Sequence, residues 1–241
     1  MTKYILEALL QVVVIVLLAY FFLKEKNRLN LQRIGWVALS YVLYQVALVL
    51  PKLHPNFDFV KSRWNWDGKI WGIGCCVLLY FGLRKYFRTN DFFTWRQDQK
   101  NFKPALMVAT AVVVLSAVVW FLLGSSDFDA ETLAFQFLLP GLDEEMLFRG
   151  ILLRLLMSSL KDKISFLGNP SVMLAAVLFG LMHGLTLKSS YKVDFNAIYF
   201  LQTAFAGYLW GWVTVKSRSL LLAIASHNLS NFLGTLLMMM K

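Results

Sequence analysis

The chain has 241 residues, of which 58% are hydrophobic and only 16% charged; an ordinary soluble domain is about half apolar and about a quarter charged. That balance excludes a soluble globular domain, and the apolar residues fall in blocks near the ~20 that cross a bilayer as helix. The net charge of +10 sits mainly in stretches between those blocks, so anionic lipid is a sufficient partner for it and nucleic acid is not implied.

Eight blocks are candidate spans, at about 4–23, 34–53, 68–87, 105–123, 131–158, 170–187, 195–215 and 219–239. In lipid every backbone polar group needs a partner within its own segment, and no alternating ~10-residue pattern marks a barrel, so the spans are helices. The sequence therefore reads as an all-α, polytopic transmembrane helical bundle of about eight spans, one integral-membrane domain over residues 1–241.

The first block, YILEALLQVVVIVLLAYFFL, has too long an apolar run for a signal peptide and no small-residue cleavage site, so it counts as a span. The second ends in LPKLHPNF, where His54 lies in a loop between prolines and has no assigned role. RWNWDGKIW then has the make-up of an interfacial aromatic belt. Cys75 and Cys76, adjacent in the third block, point about 100° apart on a helix and read as small apolar packing residues. The longest stretch between spans, LRKYFRTNDFFTWRQDQKNFKP, interleaves rings with Arg and Lys, as suits an interfacial segment. Glycines four apart (Gly68 and Gly72, Gly180 and Gly184, Gly207 and Gly211) allow close helix approach within one bundle.

Assigning the loops alternately to two sides gives fourteen cations on one, among them Lys24, Arg28, Arg84, Arg88, Lys100, Lys161 and Lys216. The other side receives eight: Lys3, Lys52, Lys61, Arg63, Lys69, Lys188, Lys192 and Lys241. The positive-inside bias then places both termini on the extracytoplasmic face.

The late spans hold ionisable groups where lipid tolerates few, since a charge at the bilayer centre costs about 2.5–3.5 kcal/mol on insertion scales. In PGLDEEMLFRGILL, Glu145 and Arg149 are four apart and share a helix face. Glu144 is rotated about 100° away and has no cation at three or four residues' distance. The spacing nominates Glu145 as the structural partner of Arg149 and Glu144 as the carboxylate free for chemistry. Asp143 is unassigned, either facing water or capping local backbone. Proline followed by acids is also how an ordinary helix begins at a membrane edge. The apolar TLAFQFLL just before would itself need burial, however, which favours one long segment kinked at Pro140 and Gly141. His183 follows Phe179 by one turn in FGLMH, and His227 and Asn231 share a face in HNLSN. Each alone can be an interhelical hydrogen bond. Together, a carboxylate, two imidazoles and an amide in an apolar cavity are what acid–base chemistry requires.

In this order on successive spans, EEMLFR (144–149), FGLMH (179–183) and HNLSN (227–231) resemble the motifs of the CPBP family, the CAAX proteases and bacteriocin-processing enzymes also called Abi proteins. The resemblance covers roughly residues 131–239, making them a catalytic core with residues 1–123 as accessory spans. It implies an intramembrane glutamic endopeptidase with an active-site cavity inside the bilayer. Glu144 would be the general base that activates water, and His183 would help hold that water. His227 and Asn231 would donate to the oxyanion of the tetrahedral intermediate, and Glu145, Arg149 and Phe179 would support them. The resemblance favours a mechanism without metal or cofactor. Two histidines and two glutamates could also hold zinc, although the HExxH arrangement is absent. The implied partners are membrane lipid and a membrane-associated peptide or protein, prenylated or a bacteriocin or pheromone precursor, and the compact chain points to a bacterial cell membrane. A non-catalytic regulatory or immunity scaffold is the alternative of a different class, and transport has no inverted repeat to support it.

Overall fold

The computed structural model describes residues 2–87, 91–164 and 168–241. Arg88, counted above among the cations of one side, lies outside the described residues with the rest of 88–90 in the interfacial segment. The chain runs through α1 (Thr2–Phe22), α2 (Arg28–Leu53), α3 (Trp66–Leu83), α4 (Gln99–Leu123), α5 (Ala130–Leu138), α6 (Pro140–Glu145), α7 (Leu153–Ser159), α8 (Pro170–Gly184), α9 (Ala197–Ser217) and α10 (Leu221–Met239). A π-helical segment, Met146–Leu152, joins α6 to α7. An antiparallel hairpin of β1 (Leu185–Leu187) and β2 (Val193–Phe195) joins α8 to α9.

Helix starts are set by short polar side chains. Asn27, Asn65, Asp98, Asp129, Asn169 and Asn196 each accept a first-turn backbone N–H, which satisfies donors that the helix itself leaves bare.

The all-α membrane class is what the structure shows. Helices α1, α2, α4 and α10 are long and apolar enough to cross a membrane, and α8 is a shorter apolar helix. Of the other expected spans, α3 and α9 are continuous helices, and two blocks are not plain rods. The block 131–158 breaks at Pro140 and widens into the π-helical segment. At the end of the block 170–187, residues 185–187 leave the helix as β1, whose Leu187 N–H donates to Glu7 at 2.6 Å.

Contacts between loops obey the alternation the spans require. At one end, Lys24 N–H donates to the Ser159 carbonyl and Lys161 N–H to that of Phe22, while Asp98 N–H reaches the Ser217 carbonyl. At the other, Arg63 pairs with Asp129, and Ser126 N–H donates to the Met238 carbonyl. Polar contacts also tie the early helices to the late ones. Gln11 of α1 donates to the Leu185 carbonyl at 2.8 Å and accepts from the Tyr41 hydroxyl at 2.5 Å.

The core lies along the segment from α6 to α7. Leu147, Phe148, Ile151, Leu152, Leu153 and Leu155 are wholly buried, the mark of a helix enclosed on all sides. Around it, α1 and α4 expose Leu17, Phe21, Val114, Leu115 and Leu122, an apolar face suited to lipid. The glycine pairs serve packing inside this bundle: Cβ atoms at Gly180 and Gly184 would collide with Phe200 of α9. Cys76 is buried and Cys75 half-buried, both as free thiols.

Candidate active site

The site is built at the break between α5 and α6. Proline at the first helical position starts α6 because it lacks the N–H that a helix start would leave unpaired. The next residue supplies a close approach. Gly141 N–H donates to Asn228 Oδ1 at 2.7 Å, and Asn228 Nδ2 donates to the Leu138 carbonyl at 3.4 Å. One amide on α10 thus satisfies both sides of the break. A Cβ at Gly141 would stand 2.7 Å from Asn228 Oδ1 and 2.9 Å from His227 Cβ, so only glycine lets α6 lie this close to α10. The approach sets the glutamates of α6 beside His227.

Glu145 is fully enclosed and divides its carboxylate between two partners. Its Oε2 lies 3.1 Å from Arg149 Nε, and its Oε1 lies 2.9 Å from His227 Nδ1. The Arg149 guanidinium is buried as well. It donates through Nη2 to the Gly207 carbonyl at 2.9 Å and lies 4.7 Å from the centre of the Phe179 ring. Gly207 makes this possible, since a Cβ there would sit 3.1 Å from Arg149 Nη2 and 3.1 Å from the Phe179 ring. Phe179 therefore acts as a face for the cation and as a wall beside His227, its ring centre 6.0 Å from the imidazole.

His227 is fixed on two sides. Its ring stacks on Trp210 with centroids 3.9 Å apart and planes 12° from parallel. With Nδ1 bonded to the Glu145 carboxylate, the proton is expected on that nitrogen, leaving Nε2 turned toward Glu144. Nε2 lies 3.9 Å from Glu144 Oε2, too far for a direct hydrogen bond but close enough for both to contact one small group.

Glu144 corrects one sequence expectation. No cation lies at helical spacing within its own segment, yet its Oε1 is 2.6 Å from Lys69 Nζ. Lys69 also corrects the topology count, because it is not an external loop cation: it stands in the first turns of α3 and its ammonium reaches inward. The same ammonium lies 3.0 Å from Asp143 Oδ1, while Asp143 Oδ2 accepts from the Tyr44 hydroxyl of α2 at 2.5 Å. Asp143, with 0% of its surface exposed, neither faces water nor caps backbone.

His183 is half-buried on α8, with Nδ1 2.8 Å from the Phe179 carbonyl and its ring centre 5.7 Å from that of Tyr199. It lies within electrostatic reach of Glu144. Asn231 is half-buried one turn beyond His227. No hydrogen bond joins it to the other site residues among the described residues. The fold thus gathers Glu144, Glu145, Arg149, Phe179, His183 and His227.

Sequence reasoning missed Lys69, Tyr44, Trp210 and Asn228. Asn228 stands next to His227 in HNLSN and was passed over for its neighbour at helical spacing. Among the described residues, no group of three or more His, Cys, Asp and Glu side chains is arranged to hold a metal ion. The carboxylate oxygens of the cluster meet Lys69, Arg149, Tyr44 and His227 instead.

Residues 127–233 match the family model described as Rce1-like, type II CAAX prenyl endopeptidase Rce1-like. No curated protein and no solved structure matches the chain.

Proposed function

We propose, from the match of residues 127–233 to the Rce1-like type II CAAX prenyl endopeptidase model, an intramembrane endopeptidase in which Glu144 activates water against a peptide carbonyl. The observation that carries the reading is the placement of His227. Glu145 holds one of its ring nitrogens, and the other faces Glu144 across 3.9 Å.

In this reading a water bound between Glu144 and the imidazoles loses a proton to Glu144 as its oxygen attacks the scissile carbonyl. The carbonyl π electrons move onto oxygen, and His227 as the imidazolium, with a proton on each ring nitrogen, donates through Nε2 to that oxyanion, as preorganised donors in a dry site do. Asn231, on the same face of α10, supplies a second donor, and His183 helps to orient the water. Collapse of the intermediate breaks the C–N bond, and the proton held by Glu144 passes to the leaving amine. The products are a carboxylic acid and an amine, and the acid then gives its proton to the amine or to water. Glu145, paired with Arg149, accepts from His227 Nδ1, which holds the ring in orientation and supports its positive charge. The substrate is a C-terminally prenylated or otherwise membrane-associated peptide, both termini of the enzyme lie on the extracytoplasmic face, and no metal takes part.

The test uses the purified protein in liposomes with an internally quenched, farnesylated CAAX peptide. Cleavage should persist with chelator present, and Glu144→Gln should lower kcat by about 100-fold or more while thermal unfolding stays at the wild-type temperature. A folded Glu144→Gln variant with wild-type kcat would reject the reading.

A further inference from the structure

Three carboxylates, those of Asp143, Glu144 and Glu145, are buried in consecutive positions. Their fixed counter-charges are unequally shared. Arg149 serves Glu145, so the single ammonium of Lys69 serves both Asp143 and Glu144. Two neighbouring buried carboxylates without a cation cannot both remain charged, and a protonated Glu144 cannot take a proton from water. The ammonium also has a directional effect: it binds Oε1 of Glu144, which leaves Oε2 as the oxygen facing His227.

Lys69 is itself held from behind. Asp143 takes one hydrogen bond from it and another from the Tyr44 hydroxyl, linking α3, α6 and α2. Gly72, one turn beyond Lys69 on α3, admits this contact. A Cβ there would lie 3.0 Å from the Tyr44 ring and 3.4 Å from Asp143 Oδ2. Among the described residues, the hydrogen bonds and ion pairs of the Asp143 carboxylate go to Lys69 and Tyr44, so its place in the cluster is explained by Lys69. Both Lys69 and Tyr44 lie outside the matched segment 127–233.

We infer that Lys69 is a positioning residue for the reaction: its ammonium, seated on Asp143, holds Glu144 as an anion with one oxygen turned to His227, so that α3 completes the active site. The inference rests on the reading of Glu144 as the base.

The experiment measures kcat and KM separately, with the full-length protein in liposomes and the farnesylated reporter peptide. The variants are Lys69→Met, Asp143→Asn and their combination, with Glu144→Gln for reference. Lys69→Met should lower kcat about 100-fold with KM changed less than about 2-fold. Adding Asp143→Asn, which removes the charge that Lys69 offsets, should restore kcat about 10-fold over Lys69→Met. A packing contact would instead give losses that add, so a double variant no faster than Lys69→Met overturns the inference. Wild-type kcat in Lys69→Met overturns it as well, while an inactive Glu144→Gln would leave the base assignment standing. An active Glu144→Gln removes the base assignment and this inference together. If Lys69→Met does not fold, the double variant is compared with Asp143→Asn. A kcat within about 10-fold then supports the inference, and a larger loss overturns it.

Discussion

Helix α4 and the stretch from α6 through α7 are both dominated by apolar side chains, yet they meet different surroundings. Helix α4 buries only Ala105, Ala109 and Val112, and turns Val114, Leu115, Val118 and Leu122 outward. In the other stretch every residue from Leu147 to Leu156 is buried. The first is apolar because lipid is its solvent, the second because protein encloses it. That enclosure is what allows three carboxylates and Arg149 to sit there, each matched by a partner that lipid could not supply. Hydropathy alone does not distinguish the two.

The comparison is tested most severely at Arg149. Replacing it by Met would leave the buried Glu145 carboxylate with His227 as its only close polar partner among the described residues. Loss of one member of a buried pair costs about 3–5 kcal/mol, and thermal unfolding in detergent should show a loss of that order together with lost cleavage. A change below about 1 kcal/mol would mean that water reaches this pair and that the stretch is not enclosed. Leu152→Ala follows. Its side chain is wholly buried, and a truncation of this kind leaves a cavity costing about 2–5 kcal/mol.

How much of this is legible in the sequence depends on whether partners share a helix. Glu145 and Arg149 are four apart, so helical periodicity is enough to pair them, and the same spacing brings Phe179 close to His183. The break at Pro140 is legible because proline and glycine act locally. Lys69 is not legible. It meets Asp143 and Glu144 across sequence separations of 74 and 75, and WDGKIW looks like any aromatic, singly charged interfacial stretch. Periodicity is also silent on Asn228 in HNLSN. It favours Asn231, four residues beyond His227, whereas the amide that bonds across the helices is the adjacent Asn228. Neighbours on a helix differ by about 100°, which is enough for His227 to face the glutamates while Asn228 faces the α6 start.

Asn228 supplies a prediction of intermediate size. Asn228→Ala removes the acceptor of the buried Gly141 N–H and the donor to the Leu138 carbonyl, leaving a buried backbone donor without its partner. The expected cost is about 1–3 kcal/mol, read from thermal unfolding, with a fall in kcat because α6 is no longer held against His227. Unchanged stability would show that the break at Pro140 finds other partners.

The smallest expected effect lies on α4, and it is the one that can undo the comparison. Leu115 has 55% of its surface exposed on the apolar outer face. In liposomes the side chain exchanges contacts with acyl chains, and truncation lets lipid fill the space instead of leaving a cavity. Leu115→Ala should therefore change stability by less than about 0.5 kcal/mol and leave cleavage untouched. Unfolding of this variant and of Leu152→Ala under the same conditions gives the contrast directly, since the two differ in surroundings and not in the atoms removed. If Leu115→Ala costs as much as Leu152→Ala, α4 is covered by protein in the membrane, through a second copy or another chain, and its apolar face has the same origin as that of the enclosed stretch.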